Sequence, residues 1–209
     1  MIETNVIVCA TLWGVFGFQH SLLARPSTKI LVNKIFGCTF ETHFYPILYF
    51  VSQCIVFLII YDIIRHLKPT LIIFVIPEEW NYFIFWFNRI ANLFLIITVF
   101  HFDIGKFTGI SQIIQFFYRT QKNAKEVNQN TLNSNYLYKY LRHPMYLGIL
   151  LVFVSSTTIY TDLFFVSLVS IIVYIEIGSY FEEKSLIKKF GSRYVDYQQR
   201  TKRYIPGIR

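Results

Sequence analysis

The chain has 209 residues, of which 54% are hydrophobic, 19% aromatic and only 15% charged. Soluble domains carry about 25% charged residues, so this composition excludes both a disordered chain and an ordinary water-soluble globule. The formal net charge is +8, from 20 Lys and Arg against 12 Asp and Glu, and in so apolar a chain the placement of the basic residues is informative.

Five apolar runs approach the about 20 residues that a helix needs to cross a bilayer. In chain order they cover residues 6–23, 44–64, 83–102, 145–160 and 163–181. The first carries Gln19 and His20 near its end and the fourth is short, so these two are the marginal spans. Residues 71–76, fenced by Pro69 and Pro77, are too few to cross and read as an interfacial or re-entrant piece. Ile110, Ile113, Ile114 and Phe117 recur at i, i+3, i+4 and i+7, the pattern of a short amphipathic helix lying on a membrane face. Residues 120–135, rich in Asn, Gln and Lys, read as a cytoplasmic loop. The expected fold is all-α: one polytopic membrane domain over residues 1–209, with about five transmembrane helices, a C-terminal helical hairpin and a cytoplasmic tail.

Basic residues test this topology, because short cytoplasmic loops are enriched in Lys and Arg. Alternation of the five spans puts Arg25, Lys29 and Lys34, the six basic residues from Lys106 to Arg142 and the eight from Lys184 to Arg209 on one side. Arg65, Lys68 and Arg89 go to the other, a division of seventeen against three. The expectation is an N-terminus outside and a C-terminus in the cytoplasm, in the cytoplasmic membrane of a bacterium. A cleaved signal peptide fits poorly, with no basic residues before the first apolar run and no small-residue cleavage site after it. Cys9, Cys38 and Cys54 are scattered and form no CxxC pair, so neither a disulfide framework nor a metal site is predicted.

An ionisable group within a membrane is costly and tends to mark function. Four clusters of such residues fall at cytoplasmic helix ends: Gln19, His20 and Arg25; His101 and Asp103; Arg142 and His143; Glu182 and Glu183. His143 lies about 18 residues before the hairpin turn and Glu183 about 21 after it, so at about 1.5 Å per residue they return to nearly one level and can face each other. Glu176, Tyr180 and Glu183 share a stripe at i, i+4 and i+7, with Glu176 about 10 Å deeper and in need of a partner or a water-filled pocket. Each residue alone reads as an interfacial anchor or a satisfied helix end. Together they favour a site for a small zwitterionic or anionic ligand open to the cytoplasm.

The run from Arg142 through His143, Pro144, Met145, Tyr146 and Leu147 to Gly148 is followed by the hairpin and by Glu182, Glu183, Leu186, Phe190, Gly191, Tyr194, Tyr197, Arg203 and Pro206. This pattern resembles the isoprenylcysteine carboxyl methyltransferase and phospholipid methyltransferase superfamily. The segment from Phe16 to Ser21, with Ala24, Arg25, Pro26 and Lys29, and later His101 to Asp103, are similar to its nurim-type branch, which includes the methanethiol S-methyltransferases. The resemblance departs at Tyr180, where an Arg is common, and the branch usually begins one membrane helix earlier. It implies that residues 142–209 bind S-adenosylmethionine on the cytoplasmic side.

Methyl transfer from a sulfonium needs the two reactants positioned and water excluded, with no metal. Glu182 or Glu183 could take the donor's ammonium, and Arg142, His143 or Arg203 its carboxylate. Tyr146, Tyr194 and Tyr197 could flank the adenine or bond the ribose, although an aromatic interfacial belt would also hold them. A thiol acceptor attacks as its thiolate, promoted by a base: His20, beside Gln19 and Arg25, or the His101 and Asp103 pair. The expected acceptor is a small or lipophilic thiol, with methanethiol the specific case. A prenylated cysteine carboxylate and a non-catalytic nurim-type protein are the alternatives. Gathering of the basic residues at one membrane face argues against nucleic acid as a partner and for anionic lipid.

Overall fold

The computed structural model describes residues 2–100, 104–118 and 136–205. In chain order they form α1 (Ile2–Ala24), α2 (Pro26–Phe36), α3 (Cys38–His43), α4 (Tyr45–His66), β1 (Ile72–Val75), a 3-10 turn (Glu78–Trp80), α5 (Asn81–Phe100), α6 (Ile104–Thr108) and α7 (Ile110–Tyr118). A second 3-10 turn (Tyr136–Lys139), α8 (Pro144–Val154), β2 (Ile159–Thr161), α9 (Asp162–Phe190) and α10 (Ser192–Arg200) follow. The protein is an all-α polytopic membrane protein, and among the described residues α1, α4, α5 and α9 are long and apolar enough to cross a bilayer.

The fourth apolar run is where sequence and structure differ. Its helix, α8, has 11 residues and stops at Ser155, whose hydroxyl turns back to donate to the Leu151 carbonyl at 2.7 Å. Four Ser and Thr residues at 155–158 then supply local hydrogen bonds that compete with helix. Residues 159–161 leave as the short strand β2, paired with β1. The piece expected to be interfacial or re-entrant is therefore a strand: Asp162 N donates to Leu71 O at 3.0 Å and Ile76 N to Thr158 O at 2.9 Å. The two prolines that fence residues 71–76 prevent a helix, and pairing satisfies the backbone instead. The amphipathic pattern at 110–117 does form a helix, α7.

Of the described residues, 2–73, 104–118 and 161–170 make one compact unit, and 74–100, 136–160 and 171–205 a second. In the first, α1 packs against α4, while α3 packs against α4 and α7. Cys9, fully buried, and Trp13 both approach the Ser167 hydroxyl, at 3.3 Å and 2.9 Å. Gly109 takes φ +87° in a turn so close to the Pro46 and Ile47 backbone that no Cβ fits. In the second unit α5 packs against α8, where Gly148 lets the Leu95 side chain and backbone come close.

What is buried and what is exposed reverse the soluble pattern. Ala91, Thr98, Ser155, Ser167 and Ser179 are buried, whereas Phe18, Leu58, Ile90 and Ile177 are exposed. Between helices in lipid the apolar driving force is absent, so small side chains line the contacts and large apolar ones face the acyl chains.

Candidate active site

The site lies in the second unit, where α8 begins and α9 ends. His143 precedes a proline and has φ −127° and ψ 62°, outside the helical region; Pro144 then opens α8 with its preset φ. From Pro144 to Val154 the chain rises about 16 Å, and from Asp162 to Glu183 about 32 Å. The extended connection through β2 makes up the difference. This brings two adjacent carboxylates of α9 to the entrance of α8.

His143 is 5% exposed and sits between them. Its Nε2 is 3.0 Å from Glu183 Oε1 and its Nδ1 3.5 Å from Glu182 Oε2. Arg142 Nε donates to the same Glu183 Oε1 at 2.7 Å, and Gln198 Nε2 donates to Glu183 Oε2 at 2.8 Å. Arg142 Nη1 donates to the carbonyls of Gln198 at 3.0 Å and Thr201 at 2.6 Å. Glu183 is thus a part-buried carboxylate, 12% exposed, with its charge matched and both oxygens engaged. Glu182 differs, with a side chain 45% exposed. It takes the Tyr146 hydroxyl on Oε2 at 3.0 Å, and its Oε1 accepts no hydrogen bond among the described residues.

The segment after α10 closes the other side. Leu141 and Lys202 form a parallel bridge, Arg142 N donates to Lys202 O at 2.7 Å, and His143 N donates to Arg203 O at 3.1 Å. Arg203 Nη1 pairs with Glu176 Oε2 at 2.8 Å, and Nη2 donates to Ser179 Oγ at 2.8 Å. Its Nε is buried without a hydrogen bond, 3.9 Å from Glu183 Oε1. The Tyr204 hydroxyl lies 2.6 Å from Ser179 Oγ, and the His143 ring stacks on Tyr146 with centroids 5.2 Å apart.

Tyr194 is 2% exposed. Tyr197 packs on it at 5.7 Å between ring centroids and donates to the Tyr138 carbonyl at 2.6 Å. Burial pushes the hydroxyls of Tyr138 and Tyr194 well above the ordinary tyrosine value and that of Tyr197 up to about 12. They stay neutral donors at physiological pH.

Of the residues singled out in the sequence, the structure gathers Arg142, His143, Tyr146, Glu176, Glu182, Glu183, Tyr194, Tyr197 and Arg203. Gly148 belongs to the α5 and α8 contact, and Tyr180 is exposed, edge-on to Phe181 and apart from the network. In the first unit, His20 Nε2 is 2.9 Å from the Tyr49 hydroxyl, Gln19 Oε1 is buried without a hydrogen-bond partner among the described residues, and Arg25 is exposed at the start of α2. His101 and Asp103 lie outside the described residues. Sequence reasoning missed Gln198, Thr201, Ser179 and Tyr204. Tyr194, Tyr197, Gln198 and Thr201 stand at i, i+3, i+4 and i+7, and that periodicity was the available signal for the first two.

The fold and the match of a family model define the class: a phospholipid methyltransferase model matches residues 87–193, from α5 into α10, and the protein is an integral membrane methyltransferase. As the match covers more than half of the chain, the protein belongs to the phospholipid methyltransferase family. Curated relatives align along nearly its whole length. It is 27% identical to the methanethiol S-methyltransferase of Pseudomonas deceptionensis, over 98% of this chain and 74% of that one. Identity to the enzyme of the same name from Crocosphaera subtropica is 26%, over 99% and 77%, and to that from Mycobacterium tuberculosis 23%, over 98% and 80%. No solved structure matches the chain.

Proposed function

We propose that this protein transfers a methyl group from S-adenosylmethionine to a small thiol, with methanethiol giving dimethyl sulfide as the specific reaction. Glu182 is the observation that carries the donor assignment: a half-exposed carboxylate with a free oxygen, set beside a buried network whose other carboxylate is fully engaged. A zwitterionic amino acid moiety fits there, its ammonium on Glu182 and its carboxylate toward the guanidinium groups of Arg142 and Arg203. The relatives' names and the extent of their alignment support the thiol acceptor.

When bound, the donor supplies a sulfonium methyl that passes to the thiolate sulfur in one in-line displacement, the carbon–sulfur electrons returning to the donor sulfur. Positive charge is lost on the way, so the chain's task is to orient the reactants and exclude water. Glu183, locked by Arg142, His143 and Gln198, holds the start of α8, and Tyr146 holds the rotamer of Glu182. Tyr197 offers an aromatic face for the adenine, with the buried Tyr194 ring packed against it. His20, with its ring held by Tyr49, takes the thiol proton. The division of basic residues supports a C-terminus and a site on the cytoplasmic side.

Calorimetry with S-adenosylhomocysteine on detergent-purified protein tests the donor site: binding that is lost in Glu182→Gln is expected, and no binding to the wild type refutes the reading. Headspace detection of dimethyl sulfide from cells given methanethiol tests the acceptor. Donor binding without product moves the reaction to a larger acceptor.

A further inference from the structure

At the other end of α5 and α8 a polar cavity of about 440 Å³ is lined by Asn81, Asn88, Arg89, Ser155, Ser156 and Thr158, with Phe85 beside them. It is separate from the ion-paired cluster: Ser155 is twelve residues after His143, about 17 Å along α8. Nothing in the methyl transfer uses it.

Arg89 is the feature that needs a partner. It lies eight residues into α5, about 12 Å along a membrane helix, where a charge is expensive. Among the described residues no carboxylate oxygen lies within 4.0 Å of it. Its guanidinium donates to the neutral Asn88 Oδ1 at 3.1 Å and stands over the Phe85 ring at 5.2 Å, leaving further N–H groups open. Snorkelling of a long side chain explains an isolated cation near a helix end. It does not explain the lining. Ser156 spends its proton on the Phe153 carbonyl at 2.7 Å and so presents a lone pair. The Thr158 hydroxyl and the Asn81 amide have no hydrogen bond among the described residues. On the same stretch of α5, Phe85, Trp86 and Ile90 are exposed apolar side chains of the kind that face acyl chains.

An anion anchor, hydroxyl and amide acceptors in the same lining, and exposed apolar side chains on the same helix describe one ligand chemistry. We infer that this cavity binds a phospholipid headgroup whose phosphate sits on Arg89 and whose free hydroxyls donate to Ser156, Thr158 and Asn81, as a phosphatidylglycerol headgroup does. A choline headgroup has no donor for those oxygens and brings a second cation.

The test is native mass spectrometry of the delipidated full chain in detergent with phosphatidylglycerol, phosphatidylcholine or soluble glycerol 3-phosphate added. Phosphatidylglycerol adducts should exceed phosphatidylcholine adducts by about tenfold, a preference worth 1.4 kcal/mol. Arg89→Gln should remove the preference, and Thr158→Val, which keeps the cation, should reduce it. Donor-site binding of S-adenosylhomocysteine should be unchanged in both variants, which shows that they are folded. Equal retention of the two lipids, or a preference that survives Arg89→Gln, overturns the proposal. Displacement of phosphatidylglycerol by equimolar glycerol 3-phosphate overturns the lipid assignment.

Discussion

Arg142 Nε and Glu183 Oε1 are 2.7 Å apart although 41 residues separate them in the chain, and their side chains are 14% and 12% exposed. Removing one partner of such a pair leaves a buried charge uncompensated, at a cost of about 3–5 kcal/mol. Glu183→Gln should therefore markedly lower the unfolding midpoint in detergent. Glu182→Gln, at an exposed position, should move it little and weaken S-adenosylhomocysteine binding at least about tenfold, the loss of a charge-assisted bond of about 1.5–3 kcal/mol. Calorimetry and thermal unfolding on the two variants separate the roles. Equal destabilisation by both would contradict this division.

The segment after α10 is part of the site. Its Thr201 carbonyl, together with that of Gln198 within α10, holds Arg142 Nη1, and the carbonyls of Lys202 and Arg203 hold the backbone N–H groups of Arg142 and His143. Deleting residues 201–209 should abolish donor binding. Tyr204→Phe, which removes only the hydroxyl beside Ser179 Oγ, should cost about 1 kcal/mol of stability. A truncated chain that binds S-adenosylhomocysteine normally would show that the segment is dispensable.

Two glycines share φ +87° but differ in surroundings. A Cβ at Gly37 meets open space, so Gly37→Ala should cost about 1–3 kcal/mol from its positive-φ, glycine-favouring backbone alone. At Gly109 it would collide with the backbone of Pro46 and Ile47, and Gly109→Ala should cost clearly more because α4 or the turn must move. Comparison of the two unfolding midpoints decides the matter.

His20→Ala should lower kcat about a hundredfold while S-adenosylhomocysteine binding stays intact, the effect expected of a lost general base. Tyr49→Phe, which frees the imidazole from its partner at 2.9 Å, should give a smaller loss. Unchanged turnover in His20→Ala would remove this residue from the mechanism.

Burial holds the Tyr197 hydroxyl up to about 12, with Arg142 opposing the shift. Between the ordinary value near 10 and this one, the folded protein keeps a proton that the unfolded chain has lost. Stability should be unaffected by this group below about pH 10 and fall as the pH rises through 12. Tyr197→Phe should flatten that part of an alkaline unfolding series.

Chain length and periodicity were enough to expect an all-α membrane fold, the amphipathic α7 and the return of His143 and Glu183 to one level. Each rests on one-dimensional quantities: apolar run length, a 3.6-residue period and a rise per residue. Arg142, His143, Glu182 and Glu183 were legible as candidates because ionisable residues at helix ends are rare in so apolar a chain. The sequence could not say which of the two adjacent glutamates is saturated. Neighbours on a helix point about 100° apart, and only packing against α8 and α10 decides which faces Arg142 and Gln198. Nor could it bring the segment from Thr201 to Tyr204 back along the start of α8, pair residues 71–76 with 158–162, or separate Tyr180 from the stripe it shares with Glu176 and Glu183. Those outcomes depend on hydrogen bonds between groups distant in the chain, which tertiary structure alone brings together.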